Sequence, residues 1–119
     1  MRRILAVLLF ALLAPQAFAH AHLHEATPAE NASLAEPPTA IILHFSEPLE
    51  AKLSRIEVTD PQGKRVDQGK AQAADGDAST LSVKLGGLEA GTYTVKWRAT
   101  SVDTHHTQGE YTFTLNGES

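Results

Sequence analysis

Between Gly91 and Ala99 the chain alternates without a break. Tyr93, Val95, Trp97 and Ala99 fall on one side, and Thr94, Lys96 and Arg98 fall on the other. Successive side chains of an extended chain point to opposite faces, so this period of two predicts a half-buried strand. Tyr111, Phe113 and Leu115 repeat the pattern, as do Leu81, Val83 and Leu85, and Ile56 with Val58. The apolar run from Ala40 to Ser46 stops at Glu47-Pro48. No segment carries the three-and-four spacing of an amphipathic helix. Turn formers such as Asp60-Pro61-Gln62-Gly63 and Gly86-Gly87 separate the runs. Short alternating strands with regular turn signals predict a single all-β domain, a sandwich of about seven strands. Lys70 to Ser79, small, acidic and polar, is predicted as a loop. Trp97, in the inward stripe, is expected to be core rather than a binding platform.

The N-terminus has a different character. Arg2-Arg3, an apolar run from Ile4 to Ala14 and the small-x-small ending Ala17-Phe18-Ala19 predict a secretory signal peptide over residues 1–19. The run falls short of the roughly 20 apolar residues that a membrane span requires. The folded domain is then residues 20–119, not embedded in a membrane. Without the two leader arginines, eight basic residues face fourteen acidic ones, a balance of −6. Such a charge argues against nucleic acid or an anionic membrane as a partner. There is no cysteine, and the single methionine is Met1, so the processed domain would hold no sulfur.

Six histidines remain, and their placement narrows the chemistry. His20, His22 and His24 crowd the expected new N-terminus. His105 and His106 lie in the connection between the last two clear strands, where binding residues commonly sit. Cleavage after Ala19 would give His20 a free α-amine beside its imidazole, a chelating pair; a cut after Ala21 would leave His22 first. Asp103 and His105, two residues apart, would point the same way in an extended segment. Three nitrogens and one carboxylate oxygen suit borderline divalent ions, with Cu²⁺ heading the affinity order and Zn²⁺ accepting the same donors. His44, in an apolar strand, is expected to be a hydrogen-bonded structural residue, and His106 to point away from the site into solvent. Glu47 could orient a ligand or simply end a strand.

Several ordered motifs make the chain resemble the CopC family of periplasmic copper-resistance proteins. They are a leader ending before His20, Leu23, Thr27-Pro28-Ala29-Glu30, Leu43-His44-Phe45-Ser46-Glu47, the run Ala90 to Ala99, and Ser101-Val102-Asp103-Thr104-His105. The resemblance implies a Greek-key barrel, cupredoxin-like or immunoglobulin-like, and copper binding in the periplasm. It places Cu(II) ligands on His20, Asp103 and His105, and implies work beside a copper-transporting membrane protein. Some members also hold Cu(I) through a methionine-rich loop; here Lys64 to Ala78 contains no methionine. The reading is a monomeric, non-enzymatic carrier of one Cu(II). Its rivals are a Cu(II) wrap made by His20-Ala21-His22 alone, a copper-brace oxidative enzyme, and a metal-free immunoglobulin-like adhesion module.

Overall fold

The computed structural model describes residues 21–117, so the expected signal peptide and His20 lie outside the described residues. The chain forms eight strands: β1 Leu23–Thr27, β2 Ser33–Leu34, β3 Ala40–Phe45, β4 Arg55–Thr59, β5 Asp67–Ala74, β6 Asp77–Leu85, β7 Gly91–Thr100 and β8 His106–Leu115. A single 3₁₀ turn, Ala51–Leu53, precedes β4. The strands make two four-stranded sheets, ordered β1-β3-β6-β5 and β2-β8-β7-β4. The fold is an all-β sandwich. No helix among the described residues is long and apolar enough to cross a membrane.

Alternation decides which side of each strand faces the other sheet. Ile41, Leu43 and Phe45 of β3, Leu81, Val83 and Leu85 of β6, Tyr93 and Val95 of β7, and Phe113 and Leu115 of β8 are all buried. Tyr93 stacks on Phe113 with ring centres 5.4 Å apart. Each fully buried side chain of this size contributes about 1.5–3 kcal/mol, which is why a domain without disulfides can hold together.

Two expectations need correction. Lys70 to Ser79 is not a loop. It contributes most of β5, the turn at Asp75-Gly76 and the start of β6, which brings the count to eight strands. β5 is an edge strand with mostly exposed side chains, so backbone pairing to β6 rather than burial holds it in place. Trp97 does lie on the inward face, but it is only partly buried, edge-on to Phe45 at 5.2 Å and 71°. Opposite it stands Gly109, where a Cβ would come within 2.6 Å of the indole; only glycine leaves room for the ring.

The long β7–β8 hairpin positions the candidate site. Its ladder runs unbroken from Gly91↔Leu115 to Thr100↔His106 and ends in the connection carrying Asp103 and His105.

Candidate metal centre

Residues 101–105 form a tight turn, not the extended segment that the two-residue spacing suggested. Ser101 N–H donates to the His105 carbonyl at 2.9 Å, and Thr104 N–H donates to the Ser101 carbonyl at 2.8 Å. Thr104 sits at φ 70°, a left-handed conformation that a β-branched side chain rarely accepts. Asp103 and His105 nevertheless converge, with Oδ1 of Asp103 3.4 Å from Nδ1 of His105. Convergence was expected from extended alternation; the turn produces it instead.

The turn is anchored, not hanging free. Leu49 bridges to Ser101, Val102 N–H donates to the Pro48 carbonyl at 3.2 Å, and the Thr100 hydroxyl donates to the Leu53 carbonyl at 2.9 Å. Ser101, 1% exposed, donates its hydroxyl to Oδ1 of Asp103. That hydrogen bond, with the nearby His105 imidazole, holds the Asp103 carboxyl below its ordinary value. The carboxylate is therefore ionised and oriented while remaining open to solvent, as a metal ligand must be.

A second clamp ties the N-terminal segment to β8 and to the end of β3. Ala21 is 1% exposed, and its carbonyl accepts the Thr107 hydroxyl at 2.8 Å. His22 exchanges two bonds with Ser46: its N–H donates to Oγ, and its carbonyl accepts the Ser46 N–H, both at 2.9 Å. Thr107 is two residues from His105. His22 and His24 themselves are exposed.

The remaining histidines are held by threonines. Thr80 donates its hydroxyl to Asp77 at 2.7 Å, so in its 2.8 Å contact with His44 the imidazole Nδ1–H is the donor. This is the hydrogen-bonded role expected of His44. His106 is exposed as expected, but it opens β8 rather than lying in the connection. Thr100, already donating to Leu53, accepts from its Nδ1 at 3.0 Å. Glu47 follows β3, half-buried.

Among the described residues, no three histidine, aspartate or glutamate side chains gather closely enough to hold an ion. Asp103 and His105 offer two candidate donors from one turn. Imidazole, carboxylate and the absence of thiolate or thioether fit a borderline divalent ion. Ser101, Thr107 and Ser46 were missed in the sequence reading. No spacing marks them: Thr107 and Ser46 find their partners in the N-terminal segment, and Ser101 meets Asp103 only through the turn.

Residues 23–116 match the CopC domain family. Protein YobA of Escherichia coli (strain K12) is 40% identical over 116 residues, covering 97% of this chain and 94% of that protein. The crystal structure of CopC from Methylosinus trichosporium OB3b superposes with a TM-score of 0.78 at 30% identity, covering 84% of this chain and 97% of that one. PcoC of Escherichia coli, a methionine-rich copper resistance protein, superposes with a TM-score of 0.73 at 35% identity, covering 82% of this chain and all of that one (100%). Fold, ordered motifs and matched span agree, and the chain belongs to the CopC family.

Proposed function

We propose that this protein is a periplasmic carrier of one Cu(II), held by the α-amine and imidazole of His20, the carboxylate of Asp103 and the imidazole of His105. It would serve copper buffering, resistance or delivery, including exchange with an inner-membrane copper transporter. The observation that carries the reading is the seat of Ala21. Its carbonyl is fixed on Thr107 beside the turn that presents Asp103 and His105. Thr107 lies two residues past His105, so the first described residue of the N-terminal segment is tied to the strand that the turn opens.

Anionic Asp103 offsets the charge of the divalent ion, and nitrogen donors complete a set that favours Cu(II) over Cu(I). The methionine-rich PcoC offers a contrast, since the only methionine here is Met1. Binding displaces protons from amine and imidazole, so affinity falls with falling pH. The rival wrap by His20-Ala21-His22 would need the His22 backbone nitrogen, which Ser46 engages, and would have to lift buried Ala21 from its seat.

The test is a processed domain beginning at His20 against the same domain with one glycine ahead of it. Both should melt at the same temperature, and the extended form should bind Cu²⁺ at least a hundredfold more weakly in competition titration. Asp103→Ala and His105→Ala in the processed domain should each weaken binding by a similar factor. Equal binding by processed and extended forms would remove the amine from the site. Loss on His22→Ala with Asp103→Ala silent would establish the wrap.

A further inference from the structure

Further along β8 from the turn, a groove of about 550 Å³ opens between β1 of one sheet and β8 of the other. Trp97 and Tyr111 line its depth, and His24, Glu25, Glu30 and Glu110 line its walls. No lysine or arginine lines it, although Glu110, on the outward face of β8, stands opposite Lys96 of β7.

Three observations bear on what it could hold. First, Tyr111 is 5% exposed, and its hydroxyl, fully buried, has no hydrogen-bond partner among the described residues. Buried hydroxyls are almost always satisfied, so an orphan on a residue that lines a groove asks for a ligand atom. Burial and the charge of Glu30 push this phenol up to about 12, so it keeps its proton and can both donate and accept. Second, the outer edge of β8 is covered only at its far end. β2 pairs with Thr114 and Leu115, and Asn31 N–H donates to the Thr112 carbonyl. By the alternation of strand backbones, Glu110, Gln108 and His106 turn their N–H and C=O groups to the same side, where no strand pairs with them among the described residues. Third, the walls are acidic and the depth aromatic, yet no trio of ligating side chains there could hold a metal ion.

We propose that this groove receives an arginine side chain presented by an extended segment of a partner protein, the segment adding as a strand to the open edge of β8. The carboxylate of Glu30, close enough to act on the Tyr111 phenol, attracts the guanidinium, and the Trp97 indole offers it a face for cation–π contact. Arginine fits better than lysine because its planar fork can stack and donate to several acceptors at once, the Tyr111 oxygen among them. The Tyr111 hydroxyl in turn donates to a carbonyl of the added strand. Backbone pairing supplies affinity and the single side-chain pocket supplies selectivity, the division of labour usual in strand addition. The site shares no side chain with Asp103 and His105, so it stands independently of the copper reading.

Trp97 is the only tryptophan, so its indole N–H gives one unambiguous NMR signal. The ¹⁵N-labelled protein is titrated with three probes: acetyl-Thr-Val-Arg-Val-Thr-amide, the same peptide with citrulline for arginine, and methylguanidinium. The arginine peptide should shift the Trp97 indole and the backbone amides of Gln108 and Glu110 together. Citrulline, the same shape without charge, should bind at least tenfold more weakly. Methylguanidinium should move the indole signal and leave the β8 amides in place. Glu30→Gln and Tyr111→Phe should each weaken the arginine peptide at least tenfold, with Cu²⁺ titration unchanged; Glu30 is exposed, so its variant guards against a folding defect in the other. An unmoved indole, or equal binding of arginine and citrulline peptides, would overturn the proposal. So would an indole shift with no response along β8, which would mark a small-cation pocket without strand docking.

Discussion

Two hairpins of this sandwich are built on opposite principles. In β7–β8 both strands bury one face, and every second residue from Tyr93 to Val95 and from Tyr111 to Leu115 lies in the core. In β5–β6 only β6 does so; β5 is an edge strand, largely exposed on both faces. The first hairpin is dictated by side chains, the second by its partner's free backbone edge. The connections differ as well. β5–β6 closes through Asp75-Gly76 alone, whereas β7–β8 spends residues 101–105 on a turn that holds a carboxylate and an imidazole 3.4 Å apart. The candidate ligands sit on the hairpin with the more deeply buried scaffold, as a preorganised ion site requires.

The contrast is broken most severely from inside. Phe113, wholly buried on β8 and stacked on Tyr93, should lose about 3–5 kcal/mol of stability on replacement by alanine. Gln72→Ala on exposed β5 should stay within about 0.5 kcal/mol. Urea melts of the two variants check the difference. Comparable losses would mean that β5 carries far more of the fold than its exposure allows.

The next effect lies where the two sheets are fastened. Asp67, at the start of β5, accepts the Val58 N–H of β4 at 2.9 Å and a two-pronged contact from Arg65 at 2.7 Å. Burial alone would raise its pKa, but the Arg65 and Val58 hydrogen bonds outweigh that and leave it lowered. With the folded value depressed, its contribution is complete above the ordinary carboxylate range and is lost as pH falls through the folded value. Asp67→Asn should cost about 2 kcal/mol at neutral pH. The gap between variant and parent in urea should narrow toward pH 2; a gap independent of pH would show that the charge is irrelevant.

The same contrast explains what could be read without coordinates. Strands that bury a face announce themselves, so β3, β4, β6, β7 and β8 were all legible at least in part, and with them the sandwich. β5 was not, because Lys70, Gln72 and Ala74 answer to no core. A signal was nevertheless present: Asp75-Gly76 is a strong hairpin dipeptide, and weighing it above the polar composition would have joined the two strands. At the candidate site, residue types and spacing pointed to Asp103 and His105, but for the wrong geometric reason. The left-handed Thr104 and the turn it permits are invisible to a rule about extended chains. Ser101 and Thr107 were beyond reach, since a supporting hydroxyl is defined by a neighbour distant in sequence or by a turn not yet known.

Ser101 gives a smaller, sharper perturbation of the site hairpin. Its hydroxyl is the foremost reason that Asp103 titrates below the ordinary range. Ser101→Ala should let that value rise toward the ordinary carboxylate range and leave the carboxylate free to turn; Asp103 stays ionised in mild acid either way, so the loss comes from orientation. Affinity at neutral pH should fall about tenfold, the scale typical of groups that orient a metal ligand. Competition titrations should show the same offset between variant and parent at neutral and mildly acidic pH. Coincident curves would show that Ser101 serves the turn and not the carboxylate.

The smallest effect belongs to the other hairpin's turn. Gly76 has φ 74°, and a Cβ added there would meet nothing within 4 Å. Gly76→Ala is therefore opposed only by the backbone, since an L-residue in the left-handed region costs roughly 1–2 kcal/mol. Part of this is returned, because alanine restricts the unfolded chain more than glycine does. A net loss of about 1 kcal/mol is expected, together with faster hydrogen exchange of the amides nearest the turn in β5 and β6. Cu²⁺ binding at the β7–β8 turn should not change. If copper affinity fell along with the β5–β6 amide protection, the two hairpins would be mechanically coupled, and a rigid site hairpin beside an independent edge hairpin would be the wrong description of this sandwich.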